Sequence, residues 1–150
     1  MSRANRLDPV VKVARSREDT AARELAAYRA LEEQQQAQLD TLLQFRAEYG
    51  ERFHAAAHEG MSSQQFHDYR EFLSRLDGAI EHQRQVLRQA QTDCERSRQR
   101  WAASRAKSRA LDKVIAHQQA QAVRAEARRD QLDSDERAQR IGATDKVSGE

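Results

Sequence analysis

The chain has little of the material from which globular cores are built. Only 38% of its 150 residues are hydrophobic and 5% are aromatic, whereas 33% are charged. That apolar content is too small for one compact core of this length. No apolar run approaches the ~20 residues that a membrane-spanning helix needs, so we expect no direct membrane insertion.

Helix-breaking residues and cysteine are equally scarce. The chain has one proline, five glycines and one cysteine. Ala, Gln, Glu, Arg and Leu dominate instead, so intrinsic propensity favours helix almost throughout. A lone Cys94 excludes an internal disulfide, and the N-terminus lacks the apolar stretch of a secretory signal. We therefore expect a cytoplasmic protein.

What the chain does contain is a periodic apolar stripe, which argues against disorder in so polar a sequence. In the first half the stripe consists of Leu7, Val11, Ala14, Ala21, Leu25, Tyr28, Leu31, Leu39, Leu42, Phe45, Tyr49, Phe53 and Ala56. In the second half two heptad positions repeat without a phase slip, one from Phe66 to Arg129 and the other from Tyr69 to Leu132. Such stripes predict two coiled-coil helices.

One interruption, at residues 59–63, separates the two stripes. Gly60 can adopt the left-handed conformation that ends a helix, and Ser62 with Gln65 has the pattern of a capping box, flanked by Met61 and Phe66 as a hydrophobic staple. Because this turn is short, the helices must run antiparallel. Leu7 is then expected near Ile115, and the residues after about His117 have no partner within the chain.

The sequence therefore predicts an all-α fold made of two long helices in an antiparallel coiled-coil hairpin. Asp8 and Pro9 are suited to begin the first helix. We expect helix 1 at about 8–58, a turn at 59–63 and helix 2 at about 63–138. Residues 1–140 then form a single hairpin, and residues 141–150 a frayed tail.

Charge is sorted along the two helices. Residues 1–17 hold five basic and one acidic side chains, and residues 96–113 hold seven and one, whereas residues 18–95 have an acidic excess. The antiparallel pairing brings both basic blocks to the end that carries the termini. Such a field favours an acidic partner surface. A nucleic-acid-binding arm is an alternative use of the same charge.

Few residues have the spacing of a chemical site. His54 and His58 lie four apart and His67 follows the turn, yet a zinc site needs three or four good ligands. Cys94 and Trp101 both fall on the apolar stripe, where packing explains them better than reactivity or base stacking. Because two paired helices offer no concave pocket, we expect no enzymatic activity, metal or other cofactor.

The aromatic residues near the turn exceed what a two-helix seam can bury. Phe45 and Phe72 each lie beside a seam position rather than on it. They continue two stripes at three- and four-residue spacing, whose other members are Gln38, Leu42, Tyr49, Leu76 and Ala79. An exposed apolar stripe of this kind indicates a protein partner. The alternative is a core that widens locally.

Several segments resemble the FliJ family of flagellar type III export proteins. They are residues 6–11, 44–49 and 69–84, followed by Trp101, Arg105, Arg109 and Leu111. The order of these landmarks and the chain length also agree with the family. The resemblance covers the chain to about Arg137.

The resemblance implies a stalk similar to the central stalk of rotary ATPases, with three kinds of partner. The open end enters and activates the hexameric export ATPase, the hairpin tip binds the cytoplasmic domain of the membrane-embedded export gate, and export chaperones are escorted. The matching gate-binding positions are Gln38, Leu42, Phe45, Tyr49, Phe72, Leu76 and Ala79. Ring contacts are expected from Arg3, Arg6, Lys12, Arg15, Arg105, Arg109, Lys113, Arg124 and Arg128.

The sequence thus predicts a non-enzymatic coupling factor of flagellar protein export. It is expected in the cytoplasm, associated peripherally with the inner membrane through the export apparatus and without nucleic acid as a partner. Two alternatives stay open at this point: the equivalent stalk of a virulence type III secretion system, and a basic coiled-coil arm that binds nucleic acid.

Overall fold

A computed structural model of the chain describes residues 3–148, and side chains from residue 6 to residue 145. Two helices account for the described residues except 60–62: α1 spans Arg3–Glu59 and α2 spans Ser63–Ser148. The described part of the chain contains no β-strand. The predicted fold class, all-α with two long helices packed as a hairpin, is confirmed.

The helix ends differ from the predicted ones. α1 begins at Arg3, so Pro9 lies inside the helix rather than at its first position. Pro9 removes one helical N–H donor close to the end of the helix, where few hydrogen bonds lie upstream. α2 continues to Ser148, through most of the segment expected to fray, and the Thr144 hydroxyl donates to the Arg140 carbonyl at 2.8 Å.

The turn has the chemistry that its sequence predicts. Gly60 has a φ of 105°, the left-handed backbone that ends a helix. The Ser62 N–H donates to Gln65 Oε1, and the Gln65 N–H donates to Ser62 Oγ, both at 3.2 Å. This reciprocal pair is a capping box, and it satisfies two of the donors that the start of α2 leaves free.

The chain divides into two packed units, of which Glu18–Ala103 contains the turn. Its core is a cluster formed by Leu39, Leu76, Ile80 and Leu87, against which Leu42 packs. The helices are antiparallel here, because Arg46 pairs with Asp77 while Gln35, earlier in α1, bonds to Gln83, later in α2. Further buried side chains along the same seam are Ala21, Leu25, Ala90, Cys94 and Ser97.

The other unit comprises Met1–Arg17 and Ser104–Glu150. Within its described part, Val11, Ala14 and Ser108 are buried. Arg15 Nη2 lies 3.1 Å from Asp112 Oδ1, which joins α1 to α2. The small residues Ala14 and Ser108 at the seam allow close packing of the two helices, at little gain in buried apolar area.

Every buried side chain among the described residues lies on the stripes that the sequence predicted. The stripe on α2 changes character at its C-terminal end. Ile115 and Gln118 are half-buried, whereas all side chains of residues 119–145 are exposed. Burial along α2 thus ends at Gln118, next to the position where the pairing with α1 was expected to end.

Candidate interaction surfaces

Six aromatic rings form a continuous row near the turn, which we call the aromatic row. In order of contact they are Phe45, Phe72, Tyr49, Tyr69, Phe53 and Phe66. Neighbouring ring centroids are 4.4 to 6.2 Å apart. Rings at these separations attract through their edges and faces as well as through burial. The row therefore stabilises the hairpin next to its turn.

The row nevertheless keeps much apolar surface in contact with solvent. Phe45 is 44% exposed, Phe66 43% and Phe72 38%. The rings of Phe45 and Phe72 meet edge to face at 6.2 Å, so each covers part of the other. The core therefore widens here, and part of the apolar face stays exposed.

The seven predicted gate-binding residues are not equally accessible. Gln38 and Ala79 are exposed, and Leu42 and Tyr49 are half-buried. Leu76 is 7% exposed and belongs to the core cluster, so it supports the surface from beneath and does not contribute contact area. The remaining positions, Phe45 and Phe72, project from the aromatic row.

An open groove of about 460 Å³ adjoins these positions. It is lined by Gln34, Ala37, Gln38, Thr41, Leu42 and Gln83. Gln83 was placed on the seam by its spacing and was not predicted as a site residue. The available indication was its polarity, since a glutamine on an otherwise apolar stripe needs a partner.

Most of the predicted ring-binding cations lie on one side of the other unit, and we call this side the basic surface. On α2, Arg105, Arg109 and Lys113 follow each other at four-residue spacing and therefore share a face. Lys12 and Arg15 share a face of α1 in the same way. The Arg15–Asp112 ion pair places these two faces side by side.

The other predicted ring contacts lie elsewhere. Arg6 is exposed near the start of α1, and Arg124 and Arg128 are exposed on the C-terminal part of α2. The side chain of Arg3 lies outside the described residues. We call residues 119–145 the overhang, because every side chain there faces solvent.

Among the described residues no group of three or more His, Cys, Asp or Glu side chains is arranged to hold a metal. Burial at the seam, together with the carboxylate of Glu32, raises the pKa of the Cys94 thiol, which makes it a poor nucleophile. Trp101 is half-buried on the predicted stripe.

Glu95 and Arg98 form a surface ion pair that shifts the pKa of both groups. Arg98 donates from Nε and Nη2 to the two carboxylate oxygens of Glu95, at 2.9 and 2.8 Å. This fork lowers the pKa of Glu95 and raises that of Arg98. Both side chains are about half exposed, so the pair adds little stability.

Within the described residues, neither helix has a segment that is apolar and long enough to cross a bilayer.

Comparison with known proteins assigns the chain to a family. The family model described as "Flagellar FliJ protein" matches residues 2–146. The chain belongs to the FliJ family. A curated FliJ protein of Salmonella typhi is 29% identical over 140 residues, which cover 93% of this chain and 95% of that relative. No solved structure gives a significant match.

FliJ membership supports a role in flagellar protein export. The chain is therefore a component associated with the flagellar export apparatus, in a family of non-catalytic components. The resemblance inferred from residues 6–11, 44–49 and 69–84 is confirmed over nearly the whole chain.

Proposed function

We propose that this FliJ protein is a non-enzymatic stalk and coupling factor of flagellar export. In this proposal the unit with the basic surface enters and activates the hexameric export ATPase, and the unit with the aromatic row binds the cytoplasmic domain of the export gate. Export chaperones are escorted by the same protein. It then acts in the cytoplasm and reaches the inner membrane only through the gate.

The observation that carries the proposal is the presence of two chemically different surfaces, one in each unit. The aromatic row presents half-exposed apolar rings, which suit a groove on a protein partner. The basic surface and the overhang present cations on exposed helix surface. Because a linking protein needs two separate binding surfaces, this division favours a coupling role over a single-partner adaptor.

The ring interaction is supported by charge and by the exposed overhang. Exposed cations steer association with an acidic lumen, and a helix exposed on all sides offers its whole surface to such a lumen. The basic surface includes Lys12 and Arg109, neither of which forms an ion pair within the described side chains. Both are thus available to a partner.

ATPase turnover tests the ring interaction. Adding the full-length protein to the purified export ATPase should raise turnover, and removing residues 117–150 should abolish both stimulation and ring binding. Lys12→Glu with Arg109→Glu should weaken stimulation, whereas Arg52→Glu, an exposed charge reversal in the other unit, should not. If the full-length protein gives no stimulation, the stalk role is wrong.

Gate binding is tested with variants of the aromatic row. Phe45→Ala and Phe72→Ala should each weaken binding to the cytoplasmic domain of the gate by about 10-fold, the loss typical of a contributing aromatic contact. Phe66→Ala is the matched control, because Phe66 is equally exposed at the far end of the row and lies outside the predicted gate positions. Equal losses for all three variants would contradict the assignment.

Chaperone escort and the choice of secretion system need separate tests. A pull-down with this protein as bait should retain the export chaperones, and no binding of any of them would contradict the escort role. The flagellar family match favours motility over the virulence stalk considered from the sequence. A deletion strain should therefore lose swimming. Unchanged motility would reopen the virulence alternative.

A further inference from the structure

A second concave surface lies beside the seam in the unit that contains both termini, and we call it the valine groove. Its volume is about 280 Å³, and it is lined by Pro9, Val10, Val13, Ala14, Arg17 and Lys107. Val10 is 46% exposed and Val13 50%. Val114, seven residues after Lys107 on the same face of α2, extends the apolar strip and is 45% exposed.

The valine groove and the basic surface lie on opposite sides of the helix pair. Arg15 is two residues from both Val13 and Arg17, and positions two apart point to nearly opposite faces of a helix. The same relation holds on α2, where Lys107 lies two residues from Arg105 and from Arg109. The groove is therefore a separate surface, with an apolar floor and two cations at its rim.

The same unit also carries a helical segment with complementary chemistry. Residues 130–136 of the overhang contain four acidic side chains and no basic one. Leu132 lies among them and is 63% exposed, and all seven side chains face solvent. An exposed leucine flanked by carboxylates is what an apolar groove with a cationic rim recognises.

We propose that residues 130–136 of a second copy of this chain bind in the valine groove, with Leu132 over Val10 and Val13. The carboxylates of that segment then face Arg17 and Lys107. Neither cation forms an ion pair within the described side chains, so no existing pair has to break. The segment of the same copy cannot occupy the groove, since α2 carries it roughly 35 Å along the axis beyond Lys107.

The contact is reciprocal. Because groove and segment lie about 35 Å apart along the same axis in each copy, two antiparallel copies can each place their segment in the groove of the other. This is the closed two-fold arrangement that most homodimers adopt. The exposed overhang thereby becomes the third helix of a local bundle in each copy, which buries the apolar strip that one chain leaves open.

Sedimentation velocity with the full chain tests the proposal. We expect a reversible dimer, with twice the 17.2-kDa mass of the chain and a dissociation constant on the order of 10 µM at low salt. Arg17→Glu with Lys107→Glu should weaken dimerisation at least about 10-fold, and so should Asp133→Lys with Asp135→Lys. Leu132→Glu should act in the same direction.

Mixing the two charge-reversed chains gives the sharpest test. The first has an acidic groove and an acidic segment, whereas the second has a basic groove and a segment in which two of the four carboxylates are replaced by cations, so that its net charge is zero. Neither chain can attract its own kind through this contact, but the segment of the first chain matches the groove of the second, so the mixture should regain the dimer that both lack alone. Helix content, measured by circular dichroism, should match the unsubstituted chain because all four positions are exposed.

A control on the basic surface and two further outcomes can overturn the proposal. Lys12→Glu with Lys113→Glu makes the same charge change on the basic surface and should leave the dimer intact. If that control weakens dimerisation equally, a general charge effect explains the association and the proposal is wrong. A chain that stays monomeric up to several hundred micromolar, or a dimer lost on Phe72→Ala, would also overturn it. These measurements contain no ATPase or gate, so they are independent of the coupling function.

Discussion

Gln83 donates from one side-chain nitrogen to two oxygens of Gln35, its backbone carbonyl at 3.1 Å and its side-chain oxygen at 2.7 Å. Gln83 is 9% exposed and lies among the leucines of the core cluster. A buried polar layer in a coiled coil favours the one register that satisfies it. This pair therefore specifies how α1 and α2 align in the unit that contains the turn.

Replacing Gln83 by glutamate should destabilise the protein, because it disrupts the hydrogen bonds of this buried polar layer. Gln83→Glu directs a carboxylate at two carbonyl oxygens, so the free energy of unfolding at pH 7 should fall by about 2 kcal/mol. Burial and repulsion raise the pKa of the introduced carboxyl, so the loss should shrink as the pH falls and the group protonates. Gln85→Glu, two residues away and exposed, should change the stability in urea by less than about 0.5 kcal/mol.

Truncation of Phe45 should cost less stability than truncation of a core leucine. Phe45→Ala removes an edge contact to Phe72 but little fully buried area, so we expect a loss of about 1 kcal/mol in urea unfolding. Leu76→Ala should cost about 3 kcal/mol, because it leaves a cavity in the core cluster. Equal losses would mean that Phe45 is a core residue and not an interaction residue.

Two glycine substitutions should have opposite effects. Gly60→Ala introduces a side chain at a φ of 105°, and this strain should lower the free energy of unfolding by about 1 to 2 kcal/mol. At Gly78, inside α2, an added methyl group meets no neighbouring atom within 4 Å. Gly78→Ala should therefore stabilise the protein by about 0.5 to 1 kcal/mol. Two losses would show that Gly78 is needed for more than its backbone freedom.

The Cys94 thiol should react slowly in the folded protein. Burial raises its pKa from the ordinary value of 9.0, so less thiolate is present than in the unfolded chain at the same pH. Modification by a disulfide reagent at pH 8 should be at least about 10-fold slower in buffer than in urea. Since the unfolded thiol ionises first, stability should fall as the pH rises above 9.0. A native rate equal to the unfolded one would contradict the buried position.

Sequence reasoning was most successful where a local pattern has one structural outcome. The capping box of Ser62 and Gln65 and the left-handed Gly60 both follow from nearest-neighbour chemistry. It was less successful at the helix ends. The sequence after Arg140 contains no strong helix-breaking signal, so α2 extends to Ser148.

The candidate surfaces were only partly predictable. The spacing of Phe45 and Phe72 showed that a two-helix seam cannot hold both rings, but their mutual contact depends on how the two helices are rotated about their axes. Leu76 lies both on a heptad position of the seam and among the predicted gate-binding residues, and the structure buries it in the core cluster. Val10 and Val13 were missed because each flanks a seam residue and neither forms a stripe of its own.

The sequence by itself determined that this chain forms two helices separated by one turn. It also determined that the seam follows the heptad positions from Leu76 to Ser108 on α2. Those properties are local, because periodicity and capping depend on residues that are close together in the sequence. The tertiary structure alone decided which faces lie side by side. Arg15 pairs with Asp112 on one side, and Val13 and Lys107 line a groove on the other. Both arrangements depend on the register and the rotation of one helix against the other.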